Sequence, residues 1–129
     1  MALPSLPHPH LIILRSFVTV ALSCLIGQAG WAAAFIGGQG GFRLHHQVGA
    51  WITLAVSVLT ALAFVILRRS AGVVNVVLAI ALVVAVSVQY TLGAAGSTSA
   101  HVFFGVLTVM LGTALTSWTY RHAMPADRP

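Results

Sequence analysis

Four stretches of the chain run almost without charge, and the polar positions gather between them, at about 12–36, 45–67, 73–92 and 101–120. Each is long enough to supply the roughly 20 mostly apolar residues that a helix needs to cross a hydrocarbon core about 30 Å thick. The breaks are Gly37-Gly38-Gln39-Gly40-Gly41, then Arg68-Arg69-Ser70, then the Gly/Ala/Ser/Thr run 93–99. Breaks this short make sequence neighbours antiparallel. The third stretch is rich in valine, but an open strand in lipid would leave backbone groups unpaired, so it too reads as a helix. The pattern predicts an all-α integral membrane four-helix bundle, up-down-up-down, spanning 12–121 between flexible tails at 1–11 and 122–129.

Composition agrees and removes several functions. The chain is 59% hydrophobic and 5% charged, where a soluble domain carries roughly 25% charged residues. Its one acidic residue, Asp127, cannot form the carboxylate pair of a glycosidase or aspartic protease, and no intramembrane carboxylate offers a proton relay for transport. Cys24 is alone, which excludes an intramolecular disulfide and a thiolate zinc site, and it reads as a packing residue. The glycine run 37–41 lacks the Lys-Ser/Thr of a phosphate loop.

The six arginines are scattered rather than clustered, which argues against nucleic-acid binding. Arg15, Arg68, Arg69, Arg121 and Arg128 fall on the side shared by the termini and the second loop, and Arg43 falls on the other. The excess of Arg in cytoplasmic loops then predicts a multi-pass membrane protein with both termini cytoplasmic, and the absence of lysine with the Ala/Val/Leu bias points to a bacterial plasma membrane. Trp31 and Tyr90 near one face, and Trp118 and Tyr120 near the other, fit interfacial aromatic belts. Trp31-Ala32-Ala33-Ala34 resembles a signal-peptide cleavage site, but the first apolar stretch exceeds the 7–15 residues usual for such a peptide, which favours a span.

A weak two-fold repeat relates spans one and two to spans three and four. Each half has an amide late in its odd span (Gln28, Gln89), a glycine-containing loop, and a histidine opening its even span: His45-His46-Gln47-Val48-Gly49 and His101-Val102-Phe103-Phe104-Gly105. Such parallel repeats recur in membrane bundles. Spans two and four run the same way, so these histidines start at the same leaflet. Ionisable residues at membrane depth are functional candidates, and two imidazoles from facing helices can fill both axial positions of a haem, favouring electron transfer. Gly49 and Gly105, four residues on from His45 and His101, would let a flat ring approach the backbone, and Arg43 would pair with a propionate.

The adjacent pair His45 and His46 leaves a choice. The Gly49 spacing selects His45 and carries more weight here; the small and polar stripe His46, Ala50, Thr53, Ser57, Thr60 matches His101, Gly105, Thr108, Gly112, Thr116 and selects His46. The plain alternatives are that these histidines sit at the wet interface without a metal, or hold copper or zinc, for which no thiolate, carboxylate or nearby methionine completes a site. Gln28 and Gln89 either bond neighbouring helices or line a quinone or haem edge. Ser16, Thr19, Ser23, Gly27, Gly30 and Ala34 form a small-residue stripe read as close helix packing. His8, His10 and His122 need no role.

With Leu44-His45-x-x-x-Gly49 opening span two and His101 opening span four, the chain resembles, over about 17–120, a domain-of-unknown-function family of small bacterial four-helix membrane proteins. More distantly it resembles the haem-binding four-helix halves of haem A synthase and the membrane cytochromes b. The resemblance implies His45 and His101 as axial ligands of one b-type haem near the outer face. The chain has no inner-leaflet histidine pair for a second haem, no glutamate beside the first histidine and no Cys-x-x-Cys-His. The expectation is therefore one haem b per chain and electron transfer, rather than stand-alone enzymatic activity, with a quinone or respiratory-complex subunits as partners. The alternative is a cofactor-free accessory or assembly subunit.

Overall fold

A computed structural model describes residues 7–124. The chain is all-helical: α1 (Pro9–Ile36), α2 (Phe42–Ile66), the single turn α3 (Arg68–Ala71), α4 (Val73–Ala94) and α5 (Thr98–Arg121). The four long helices are each long and apolar enough to cross a membrane. They form an up-down-up-down bundle in the cyclic order α1, α2, α4, α5, so the parallel helices α2 and α5 face each other across its diagonal.

Three helices start earlier than hydropathy alone implies. Pro9 suits the first turn, where its missing N–H is no loss, and the His8 ring caps the turn by accepting from the His10 N–H at 3.2 Å. Phe42 and Arg43 already belong to α2, and Thr98 opens α5. The tail residues 1–6 and 125–129 lie outside the described residues. Between α2 and α4 the chain turns at Gly72, whose φ of +78° excludes most side chains; a Cβ there would also stand 2.8 Å from the His122 ring.

The interior mixes hydroxyl and amide side chains with leucine, valine and Phe64, while the exterior is large and apolar. Thr53, Ser57, Thr60, Asn75, Thr108 and Thr119 are buried beside Leu14, Val18, Leu82 and Leu115, while Ile26, Trp51, Val84 and Phe103 lie exposed. In water so apolar an exterior would be unfavourable. In lipid, where tails are as apolar as leucine, helices gain by close packing and internal hydrogen bonds. The hydroxyls meet their needs within their own helices: Thr53 donates to Gly49 O at 2.7 Å, Ser57 to Thr53 O at 2.7 Å and Thr119 to Leu115 O at 2.8 Å.

Burial makes the two-fold repeat explicit. Moving along the odd helices by 61 positions carries Leu14, Val18, Ala21 and Leu25 onto Asn75, Ala79, Leu82 and Val86, all buried, and Gln28 onto Gln89. Moving along the even helices by 55 carries Thr53, Ser57, Thr60 and Phe64 onto Thr108, Gly112, Leu115 and Thr119, also buried, and His46 onto His101. One expectation is overturned. The stripe from Ser16 to Ala34 does not pack inside the bundle: a Cβ added at Gly27 or Gly30 would meet nothing within 4 Å, because Leu11, Leu14, Val18, Ala21 and Leu25 take the inner face of α1.

Candidate functional site

At the end of the bundle opposite the termini, α2 and α5 each begin with a histidine whose phase is set by the buried stripe below it. Thr53 and Thr108 point inward, and seven residues earlier, two turns of helix, lie His46 and His101. Their rings meet across the diagonal with centroids 5.9 Å apart and planes at 83°. Both are half-buried.

His101 is held by the neighbouring helix. Its Nδ1 lies 3.0 Å from Gln89 O. A carbonyl can only accept, so Nδ1 carries the proton and, in the neutral ring, Nε2 keeps its lone pair. The Gln89 amide returns the contact, Nε2 donating to His101 O at 2.7 Å. Orientation of an imidazole through its far nitrogen is the usual support of a metal-ligating histidine. The corresponding pair in the first half is not closed in this way. His46 Nδ1 and Gln28 Nε2 are both buried without a partner, as is Gln89 Oε1.

The structure brings His46, and not His45, to His101. One residue is 100° of helix, which turns His45 outward: it is exposed, its Nδ1 lies 3.2 Å from Gly41 O, and its ring sits 5.5 Å from Phe42 and 6.1 Å from Trp31. Arg43 is exposed in the first turn of α2. Gly49 and Gly105 do permit a close approach, but by a different group. A Cβ at Gly49 would collide with the Gln28 amide and the Trp31 ring, and one at Gly105 would stand 2.7 Å from Gln89 Nε2. The glycines make room for glutamine side chains, so the space that the glycine spacing reserved for a flat ring is filled by amides.

The expectation that these amides bond a neighbouring helix holds for Gln89, whose Nε2 donates to His101 O of α5. The signal was present in the Gln-to-His order of each half; what it lacked was the phase that makes Gln89 a partner of His101. A second polar cluster, at the terminal end, was missed. His10 Nδ1 lies 2.8 Å from Ser70 Oγ, and His122 Nε2 lies 3.0 Å from Ser70 O, so two imidazoles from opposite ends of the chain close on one residue of α3. Antiparallel topology alone places those three segments at one end.

Among the described residues no group of three or more His, Cys, Asp or Glu side chains is placed to hold a metal ion. The chemistry on offer is that of two imidazoles with amides around them. No family model, no curated protein and no solved structure matches this chain.

Proposed function

We propose that the chain is a membrane b-type cytochrome holding one haem between His46 and His101 and exchanging electrons with a quinone or a respiratory partner. The observation that carries this reading is the diagonal imidazole pair, with the lone pair of His101 Nε2 left available by the bond from Nδ1 to Gln89. The two rings, 5.9 Å apart between centroids, belong to facing helices, so each would approach a bound group from its own side. The unpartnered buried atoms His46 Nδ1, Gln28 Nε2 and Gln89 Oε1 also fit a region built to meet a further group.

A haem held by His46 and His101 would supply one-electron transfer. The chain's own residues do the rest. Gln89 fixes the His101 ring and its tautomer, Gly49 and Gly105 let the two glutamine side chains swing beside the backbone, and the apolar helix faces exclude water. The Gln28 and Gln89 side chains must yield some of the space they occupy. That requirement is the observation favouring the second reading, a cofactor-free accessory or assembly subunit in which the amides and histidines join helices. The clustering of Arg15, Arg68, Arg69 and Arg121 at the terminal end, against Arg43 at the other, supports cytoplasmic termini in a bacterial plasma membrane.

The test is a reduced-minus-oxidised absorption spectrum of the detergent-purified chain produced with ample haem, paired with a pyridine haemochrome assay. A low-spin b-type spectrum at one haem per chain is expected. A folded protein that remains colourless after haem is supplied overturns the cytochrome reading in favour of the accessory subunit.

A further inference from the structure

The terminal end of the bundle concentrates positive charge, with no acidic side chain among the described residues. Five arginines lie among the described residues and four of them, Arg15, Arg68, Arg69 and Arg121, are at this end; the chain's single acidic side chain, Asp127, lies outside the described residues. Two of the four are engaged. Arg15 donates to Tyr120 O at 3.1 Å, where a cation meets the negative end of the α5 dipole, and stacks 5.4 Å from the Tyr120 ring. Arg121 stacks 5.5 Å from Trp118 and donates to Ser117 Oγ at 2.9 Å.

Arg68 and Arg69 differ. Both are exposed on the turn α3, and neither donates a side-chain hydrogen bond within the described residues. Beneath them is a recess of about 320 Å³ lined by His10, Ile66, Leu67, Arg68, Arg69 and Ser70. Its floor is rigid: Ser70 is buried, its Oγ meets His10 and its carbonyl meets His122, and the turn after it is set by Gly72. The flank is apolar and open, with Ile66 at 74% exposure and Ile13, one turn on from His10, at 43%. Two exposed guanidinium groups beside a serine and an imidazole suit a phosphate, which arginine grips through its planar fork. The adjoining exposed isoleucines suit acyl chains.

The geometry points to a binding site for the phosphodiester of an anionic phospholipid, held by Arg68 and Arg69 over the His10 and Ser70 floor. The apolar flank selects a lipid rather than free phosphate, and the two exposed arginines select an anionic headgroup over a zwitterionic one, whose ammonium they would repel. The site lies at the other end of the bundle from the histidine pair and does not depend on haem.

Native mass spectrometry of the full chain, incubated with equal phosphatidylglycerol and phosphatidylcholine of matched acyl chains, tests this. The wild type is expected to retain phosphatidylglycerol preferentially, and the double variant Arg68→Ala/Arg69→Ala to lose that preference by about thirtyfold, at about fivefold per arginine near the membrane surface. Arg43→Ala, at the opposite end, is expected to leave it unchanged. The pair Arg68→Lys/Arg69→Lys keeps the charge but loses the planar fork, so it should lose part of the preference, and where the alanine pair fails to fold an unchanged preference in the lysine pair overturns the proposal. Equal retention of the two lipids, or an unchanged preference in a folded alanine pair, overturns the proposal. So does full competition by inorganic phosphate, which would make the ligand free phosphate instead.

Discussion

The two halves of the bundle carry the same layout and complete it differently. In the second half His101 and Gln89 are joined by two hydrogen bonds; in the first, His46 and Gln28 stand at the equivalent positions with His46 Nδ1 and Gln28 Nε2 buried and unpaired. The glycine positions differ as well. Gly105 lies four residues beyond His101, whereas Gly49 lies three beyond His46, and Gln28 folds over Gly49 and against Trp31. The second pair is thus closed by two hydrogen bonds and the first is less completely bonded. An unpaired buried amide is a standing cost of roughly 1–3 kcal/mol.

The glycine positions should break the comparison most severely. Gly49→Val puts a branched side chain into the Gln28 amide and the Trp31 ring, and overpacking of this kind costs about 1–3 kcal/mol or more. Gly105→Val meets only the Gln89 side chain and should cost less. Thermal unfolding in detergent, followed by circular dichroism, should place the midpoint of Gly49→Val below that of Gly105→Val; the reverse order would mean that the first half is the looser one at this level.

The amides should sharpen it by a smaller amount. Gln89→Leu removes the bond to His101 O and is expected to cost about 1 kcal/mol. Gln28→Leu removes an amide whose nitrogen already lacks a partner, so the same assay should find it neutral or slightly stabilising. Equal destabilisation by both would show that Gln28 is bonded after all and that the halves are alike.

The bundle was legible in the chain because four apolar stretches and three short breaks leave lipid-spanning helices few other arrangements. The interior was harder to read. In lipid, small residues mark a helix contact without saying which side it is on, so the stripe from Ser16 to Ala34 reads as a packing face while Leu11, Leu14 and Val18 occupy the real one. The histidines at the ends of α2 and α5 were visible as candidates, but the choice between His45 and His46 turns on a 100° difference in phase. Weighting Gly49 pointed one way, and the stripe Thr53, Ser57 and Thr60, which the fold buries, pointed the other. The closure of His10 and His122 on Ser70 was invisible for a different reason: it joins segments separated by 60 and 52 positions, with no periodicity to link them.

The diagonal pair is the centre of the account, and the most direct measurement on it is haem content per folded chain in His46→Ala and His45→Ala, read by pyridine haemochrome and by the low-spin absorption bands. The account predicts that His46→Ala loses the six-coordinate low-spin spectrum while His45→Ala, whose ring lies against Phe42 and Trp31 instead, retains it. Full retention in His46→Ala with loss in His45→Ala would contradict it.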